Sequence, residues 1–206
     1  KRWIDLISGV SVSAVGHGNP AVIEAICSQA RDYLHLMVYG EAIEAPQVRY
    51  ARRIASLLPD PLDSVYFVNS GSEAVEGALK LAKRYTGRTE MIYYKNAYHG
   101  STHGSLSVMG GETFRNAFRP LLPDTRQIRF NEPDDLQYIT SRTACVIIEP
   151  VQGEGGIIPV HRDYLQALRD RCNETGTLLI YDEIQTGLGR TGTLYFFQRY
   201  GIVPDI

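Results

Sequence analysis

Cysteine is scarce in this sequence and never closely spaced: Cys27, Cys145 and Cys172 are the only three, with no C-x-x-C. That excludes a disulfide framework and points to a reduced, cytoplasmic setting, with Cys145 and Cys172 inside apolar patterns. Long apolar runs are missing too. None approaches a membrane span, and no signal peptide is expected ahead of Trp3. Neither sign of charge is in excess. A formal net charge of −2 gives no electrostatic pull toward nucleic acid or an anionic membrane. No internal repeat or low-complexity linker breaks the chain. Lysine is limited to Lys1, Lys80, Lys83 and Lys95. What is there is an ordinary globular balance, 44% apolar over 206 residues, enough for one large domain with a core.

The pattern alternates helices and strands. "NPAVIEAICSQARDYLHL" has Asn19 as N-cap, Pro20 at the first helical position, and Ile23, Ile26, Ala30 and Leu34 on one face. A second helix is expected over "APQVRYARRIASLL", with Val48, Ala51, Ala55 and Leu58 inward. "SVYFVNSG" reads as a strand entering a tight turn, and "SEAVEGALKLAKRYTG" as a helix stopped by Gly87. "TEMIYY", "TRQIRF", "ACVIIEP" and "TLLIYDE" read as strands. "HRDYLQALRDRCNETG" reads as a helix with Leu165, Leu168 and Cys172 inward. Strands separated by helices imply an α/β fold with a mainly parallel sheet and helices on both faces.

In such sheets ligands gather at the carboxyl ends of the strands, so those ends are where function is sought. "NSGSEA" fits a helix cap, with Ser70 as N-cap and Glu73 three residues on. It also fits an anion cradle in which Gly71 lets the backbone approach a phosphate near Ser72. "NAYHG" offers Tyr98 and His99, either packing in a turn or placing an aromatic where a flat cofactor stacks. His99 and His103 are spaced i,i+4 as in a metal pair, but no third ligand is evident and no metal is expected. "IIEPVQGEGG" carries Glu149 and Glu154, either as capping and solvated groups or at a cleft mouth.

Asp182 is the least comfortable residue, because it follows the apolar "TLLIY" and a charge leaving water needs a partner. An ion pair with Arg190 is the plain reading. The sharper one is a protonated ring nitrogen, which a buried aspartate would hold charged. The ring then becomes an electron sink for carbanion chemistry, and Gln185 could donate to a ring oxygen.

Taken together, "GHGNPAVIEAI", "NSGSEA", "YHG", "EPVQGEGG", "LLIYDEIQTGLGRTG" and "GIVPDI" resemble the class III (omega-amino-acid) aminotransferases across essentially the whole chain. These are pyridoxal 5'-phosphate enzymes of the aspartate-aminotransferase fold, fold type I. The resemblance implies that Gly71 and Ser72 hold the cofactor phosphate, with Tyr98 and Ile184 on the two faces of the ring. It pairs Asp182 with the ring nitrogen, brings Gln185 to the phenolic oxygen, and sets Glu149 behind Gln185. His99 is counted with the cofactor-binding residues. Glu154 matches a glutamate that pairs with a gating arginine in ornithine and 4-aminobutyrate relatives, and Tyr39 lies in a segment that lines the substrate entrance.

The implied reaction is ping-pong transamination between an omega-amino acid or amine and a 2-oxo acid, by a homodimer. The expected organisation is an N-terminal segment, 1–18, and a partial cofactor-binding large domain, 19–206, without the C-terminal small domain. The family's cofactor-bearing lysine is expected beyond Ile206, which would leave this chain inactive by itself. Aminomutases, racemases and phospho-lyases share the scaffold, and a non-catalytic binding or dimerisation remnant is the alternative outside enzymes.

Overall fold

The computed structural model describes residues 1–35, 37 and 43–206. The chain divides into two compact units, Lys1–Tyr66 and Phe67–Ile206. In the first, a single turn α1 (Ser8–Ser11) precedes α2 (Pro20–Asp32) and α3 (Ala45–Ala55). The Asn19 side chain caps α2, accepting from the N–H groups of Ala21 (3.0 Å) and Val22 (3.4 Å). Pro20 follows at the position where a missing N–H costs nothing.

The α2 stripe expected to face inward is uncovered, with Ile23, Ile26 and Leu34 51%, 62% and 86% exposed, whereas on the α3 stripe Val48 is 43% exposed and Ala51, Ala55 and Leu58 are half-buried. Helical periodicity comes from the backbone repeat, whereas burial needs a neighbour, and among the described residues none covers the α2 face. Tyr39 lies outside the described residues.

The second unit contains, in order, α4 (Gly71–Thr86), β1 (Glu90–Tyr94), α5 (His103–Ser107), α6 (Glu112–Arg115), β2 (Thr125–Ile128) and β3 (Thr143–Ile148). Then come β4 (Val151–Gln152), β5 (Ile158–Pro159), α7 (Arg162–Thr175), β6 (Leu178–Tyr181) and α8 (Phe197–Tyr200). One sheet runs β2-β1-β3-β6 with every pair parallel, and β4 and β5 form a small antiparallel hairpin. This is the mainly parallel α/β sheet implied by the alternation of elements.

The pleat sends alternate residues to opposite faces. Met91, Tyr93, Cys145, Ile147 and Ile180 share one face with Val75, Leu79 and Ala82 of α4, all of them buried. On the opposite face Tyr94 meets Tyr164 of α7, hydroxyl to hydroxyl at 2.9 Å, and Leu165, Leu168 and Cys172 of that helix are fully buried. Each fully buried aliphatic side chain contributes roughly 1.5–3 kcal/mol relative to leaving it exposed, so the two helices clamp the sheet between apolar faces. Both helices end at a left-handed glycine, Gly87 (φ 68°) and Gly176 (φ 65°), a conformation that costs glycine least.

One strand expectation fails. The stretch 64–68 carries no ladder. An apolar alternation specifies a strand only if a neighbouring chain takes its hydrogen bonds, and the outer side of β6 is already taken by residues 205–206. There Tyr181 N–H donates to the Ile206 carbonyl (3.0 Å), and Asp205 N–H donates to the Leu179 carbonyl (2.8 Å). "NSGSEA" therefore reaches the carboxyl edge through the docking of α4 on the sheet, not as the end of a strand.

Candidate active site

Parallel strands in register deliver the residues that follow them to one edge. Ile148 of β3 pairs with Tyr181 of β6, so Glu149 and Asp182 emerge side by side, and Asp182 N–H is held by the Ile148 carbonyl at 2.8 Å. Tyr98 and His99 arrive from the turn after β1, and α4 brings its first turn. These residues, with Gly71, Ser72, Ile184 and Gln185, line one cavity of about 210 Å³.

The capping reading of "NSGSEA" is observed. Ser70 caps α4, its hydroxyl accepting the Glu73 N–H (3.2 Å), while the Glu73 carboxylate accepts the Asn69 N–H (2.7 Å). A helix leaves its first N–H groups without intrahelical acceptors, and the cap accounts for Glu73. The N–H groups of Gly71 and Ser72 are the remaining donors, at the positive end of a helix of 16 residues. Gly71 has a packing reason to lack a side chain: a Cβ there would lie 2.8 Å from Ile184 Cδ1. Gly100, at φ +111°, packs so closely on the Ser72 hydroxyl that any Cβ would collide with it.

Asp182 is 8% exposed, and its partner is not Arg190, which is exposed. Its Oδ2 meets His99 Nδ1 at 2.7 Å, and its Oδ1 accepts the Ile184 N–H at 3.1 Å. His99 is buried, and its Nε2 has no partner among the described residues. A carboxylate only accepts, so the Asp182 contact places the imidazole proton on Nδ1. His103 starts α5 and lines a different cavity, so the two histidines do not converge.

Glu149 accepts the Tyr98 N–H at 2.9 Å and the Gly153 N–H at 3.4 Å. Burial pushes its carboxyl up to about 7; the His99 imidazole and the Tyr98 N–H work against that rise, and the neighbouring Asp182 charge adds to it. Gln185 packs against Gly153 with no room for a Cβ between them, so Glu149 and Gln185 are coupled through that glycine. Glu183 turns away to a structural task. Its carboxylate accepts the N–H groups of Phe196 (2.6 Å) and Phe197 (3.0 Å) and the Thr186 hydroxyl (3.0 Å), tying down the glycine-rich loop.

Glu154 is exposed in the hairpin turn and does not line the cavity, and no lysine among the described residues lines it. The sequence places His99 beside Tyr98 but carries no local signal of its bond to Asp182. The motifs do not single out Val151 and Thr186, which complete the cavity wall. Only the strand-end position of "EPVQ" and "DEIQT" could have signalled them.

The residues fit a flat, phosphorylated pyridine on grounds internal to this structure. The cavity holds open helix N–H donors and a Tyr98 ring at its wall, and a buried carboxylate is steadied by a histidine. This set of residues lies at the carboxyl edge of a parallel α/β sheet. The comparisons with known proteins agree. The Aminotransferase class-III family model matches residues 1–206, and the chain belongs to that family, whose members depend on pyridoxal phosphate. It is 42% identical over 215 residues to an acetylornithine aminotransferase of Clostridium acetobutylicum, covering 100% of this chain and 54% of that protein. It is 41% identical over 206 residues to a [LysW]-aminoadipate semialdehyde/glutamate semialdehyde transaminase of Sulfurisphaera tokodaii, covering 100% and 52%. The crystal structure of an (S)-enantioselective omega-transaminase from Thermomicrobium roseum superposes with a TM-score of 0.94 at 31% identity, covering 100% of this chain and 52% of that one. The chain thus spans about half the length of the curated relatives it matches.

Proposed function

We propose that the parent of this chain transfers an amino group from an omega-amino acid or amine to a 2-oxo acid, using pyridoxal phosphate. The observation that carries the proposal is the Asp182 carboxylate, buried and bonded to His99 at 2.7 Å, in the same cavity as the Gly71–Ser72 helix start. The relatives support an amine carried away from the amino-acid centre: one is an acetylornithine aminotransferase, the other a semialdehyde transaminase. When bound, pyridoxal phosphate supplies the electron sink that makes a bond at the donor carbon breakable.

This chain's residues bind and orient. The N–H groups of Gly71 and Ser72 hold the phosphate, and Tyr98 and Ile184 wall the two flat faces. Asp182 keeps a proton on the ring nitrogen, because opposite charges in a poorly solvated site favour both ionised forms. His99 holds Asp182 in place, Gln185 donates to the phenolic oxygen, and Glu149 stands behind that contact. Glu154 belongs to the substrate entrance. The lysine that carries the cofactor comes from the remainder of the parent, which acts as a cytoplasmic homodimer with residues 19–206 in its cofactor-binding domain.

The test is absorption of the parent, and of these 206 residues alone, with pyridoxal phosphate before and after borohydride. A visible band in the parent that borohydride makes permanent, absent from the shorter chain, is the expected result. No such band in either overturns the proposal.

A further inference from the structure

We infer that Glu76 is a strut that fixes the spacing between the phosphate cradle and the Tyr98–Ser101 wall of the cavity. It is a positioning residue for cofactor binding, and this rests on the function proposed above. Ser72 and Glu76 are four residues apart on α4 and so share a helix face. Both grip the segment that follows His99. Ser72 does so weakly, its hydroxyl accepting the Ser101 N–H at 3.3 Å. Glu76 does so strongly. Its Oε1 accepts the Thr102 hydroxyl at 2.6 Å, the Gly104 N–H at 2.7 Å and the Ser105 N–H at 3.1 Å.

Bonds to an ionised acceptor are shorter and stronger than neutral ones, and among the described residues no salt bridge diverts this carboxylate. The partner segment is built around it. Gly104 lies against the Glu76 carboxylate with no space for a Cβ, although its own backbone does not call for glycine. Removing Glu76 leaves the 3.3 Å Ser72–Ser101 contact as the remaining hydrogen bond from α4 to the segment carrying Tyr98. The segment would then be held to the sheet edge through Tyr98 and His99, with its direct tie to the cradle helix weakened.

The experiment titrates the parent enzyme with pyridoxal phosphate and with pyridoxal, which lacks the phosphate. Glu76→Ala is expected to weaken pyridoxal phosphate binding about tenfold, the scale of one charge-assisted contact, and to leave pyridoxal binding unchanged. Glu76→Gln keeps the acceptor oxygen without its charge and should recover part of the loss, falling between Glu76→Ala and wild type. Gly104→Ala, which expels the carboxylate from the other side, should reproduce Glu76→Ala even if that variant folds poorly. The phosphorus resonance of the bound cofactor should shift in both damaged variants and by less in Glu76→Gln. Equal losses for the two ligands, or no loss, overturn the strut while leaving the proposed function standing. A wild-type parent that binds neither ligand overturns both.

Discussion

His99 and Asp182, 83 residues apart in sequence, are joined by a bond of 2.7 Å between Nδ1 and Oδ2 at the buried carboxyl edge of the sheet. Each is hidden from water and each depends on the other for a partner. In the parent, Asp182→Asn should keep part of its cofactor affinity, because the cradle is untouched, and lose about 100-fold in kcat, the cost typical of one preorganised electrostatic group. Steady-state kinetics check this, and full turnover by the variant would sink the assigned role. His99→Phe should cost about 1–3 kcal/mol in urea unfolding by leaving a buried carboxylate short of a donor.

Gly71→Ala places a methyl 2.8 Å from the Ile184 Cδ1 atom. Ile184 is 52% exposed and its methyl can swing away, so the stability loss should be small, under about 1 kcal/mol against the 1–3 kcal/mol of true overpacking. The displaced side chain changes the cavity wall, so cofactor affinity should fall more than stability does. Gly71→Ala combined with Ile184→Ala should recover affinity; a titration showing no recovery would mean that the glycine serves the phosphate directly.

Glu149 sets a pH dependence whose sign can be worked out. Its folded carboxyl is raised to about 7 from 4.5, chiefly by burial. Between those values the folded state holds a proton that the unfolded chain has released. Stability from this group is therefore fully present below about pH 4.5 and lost as pH rises to about 7, by roughly 3 kcal/mol. Glu183, raised by burial as well, slopes the same way. Melting curves of wild type and Glu149→Gln across that window should diverge, with the variant flatter; parallel curves would refute the assignment.

Arg88 spans three carbonyls with one nitrogen: Thr143 at the start of β3 (3.1 Å), Thr175 (3.0 Å) and Gly176 (2.9 Å) at the end of α7. It neutralises a helix C-terminus and locks that helix to the sheet. Arg88→Ala should cost about 2 kcal/mol in urea unfolding, the scale of hydrogen bonds to a charged group, and leave cofactor affinity unchanged, since the site lies at the opposite end of the strands.

Much of the fold was legible because its signals are local. The Asn19–Pro20 start of α2, the Gly87 and Gly176 stops, and the apolar runs of β1, β3 and β6 all specify their own conformation. The candidate residues at "YHG", "IIEP" and "YDEIQ" were legible for a further reason: a parallel sheet sends every strand's successor to the same edge. The reading failed where conformation needs a partner. The stretch 64–68 alternates like a strand yet has no ladder, and Ile23 and Ile26 keep a helical period while staying exposed.

The sequence alone determined which residues turn, cap and extend, and thus which side chains follow the strands. Tertiary structure alone decided who meets whom: His99 with Asp182, Gly71 with Ile184, Glu76 with Gly104. Local rules act through neighbouring dihedrals and a few residues of backbone. A hydrogen bond between distant residues instead depends on sheet order, register and helix docking together, and none of these is written within any single stretch.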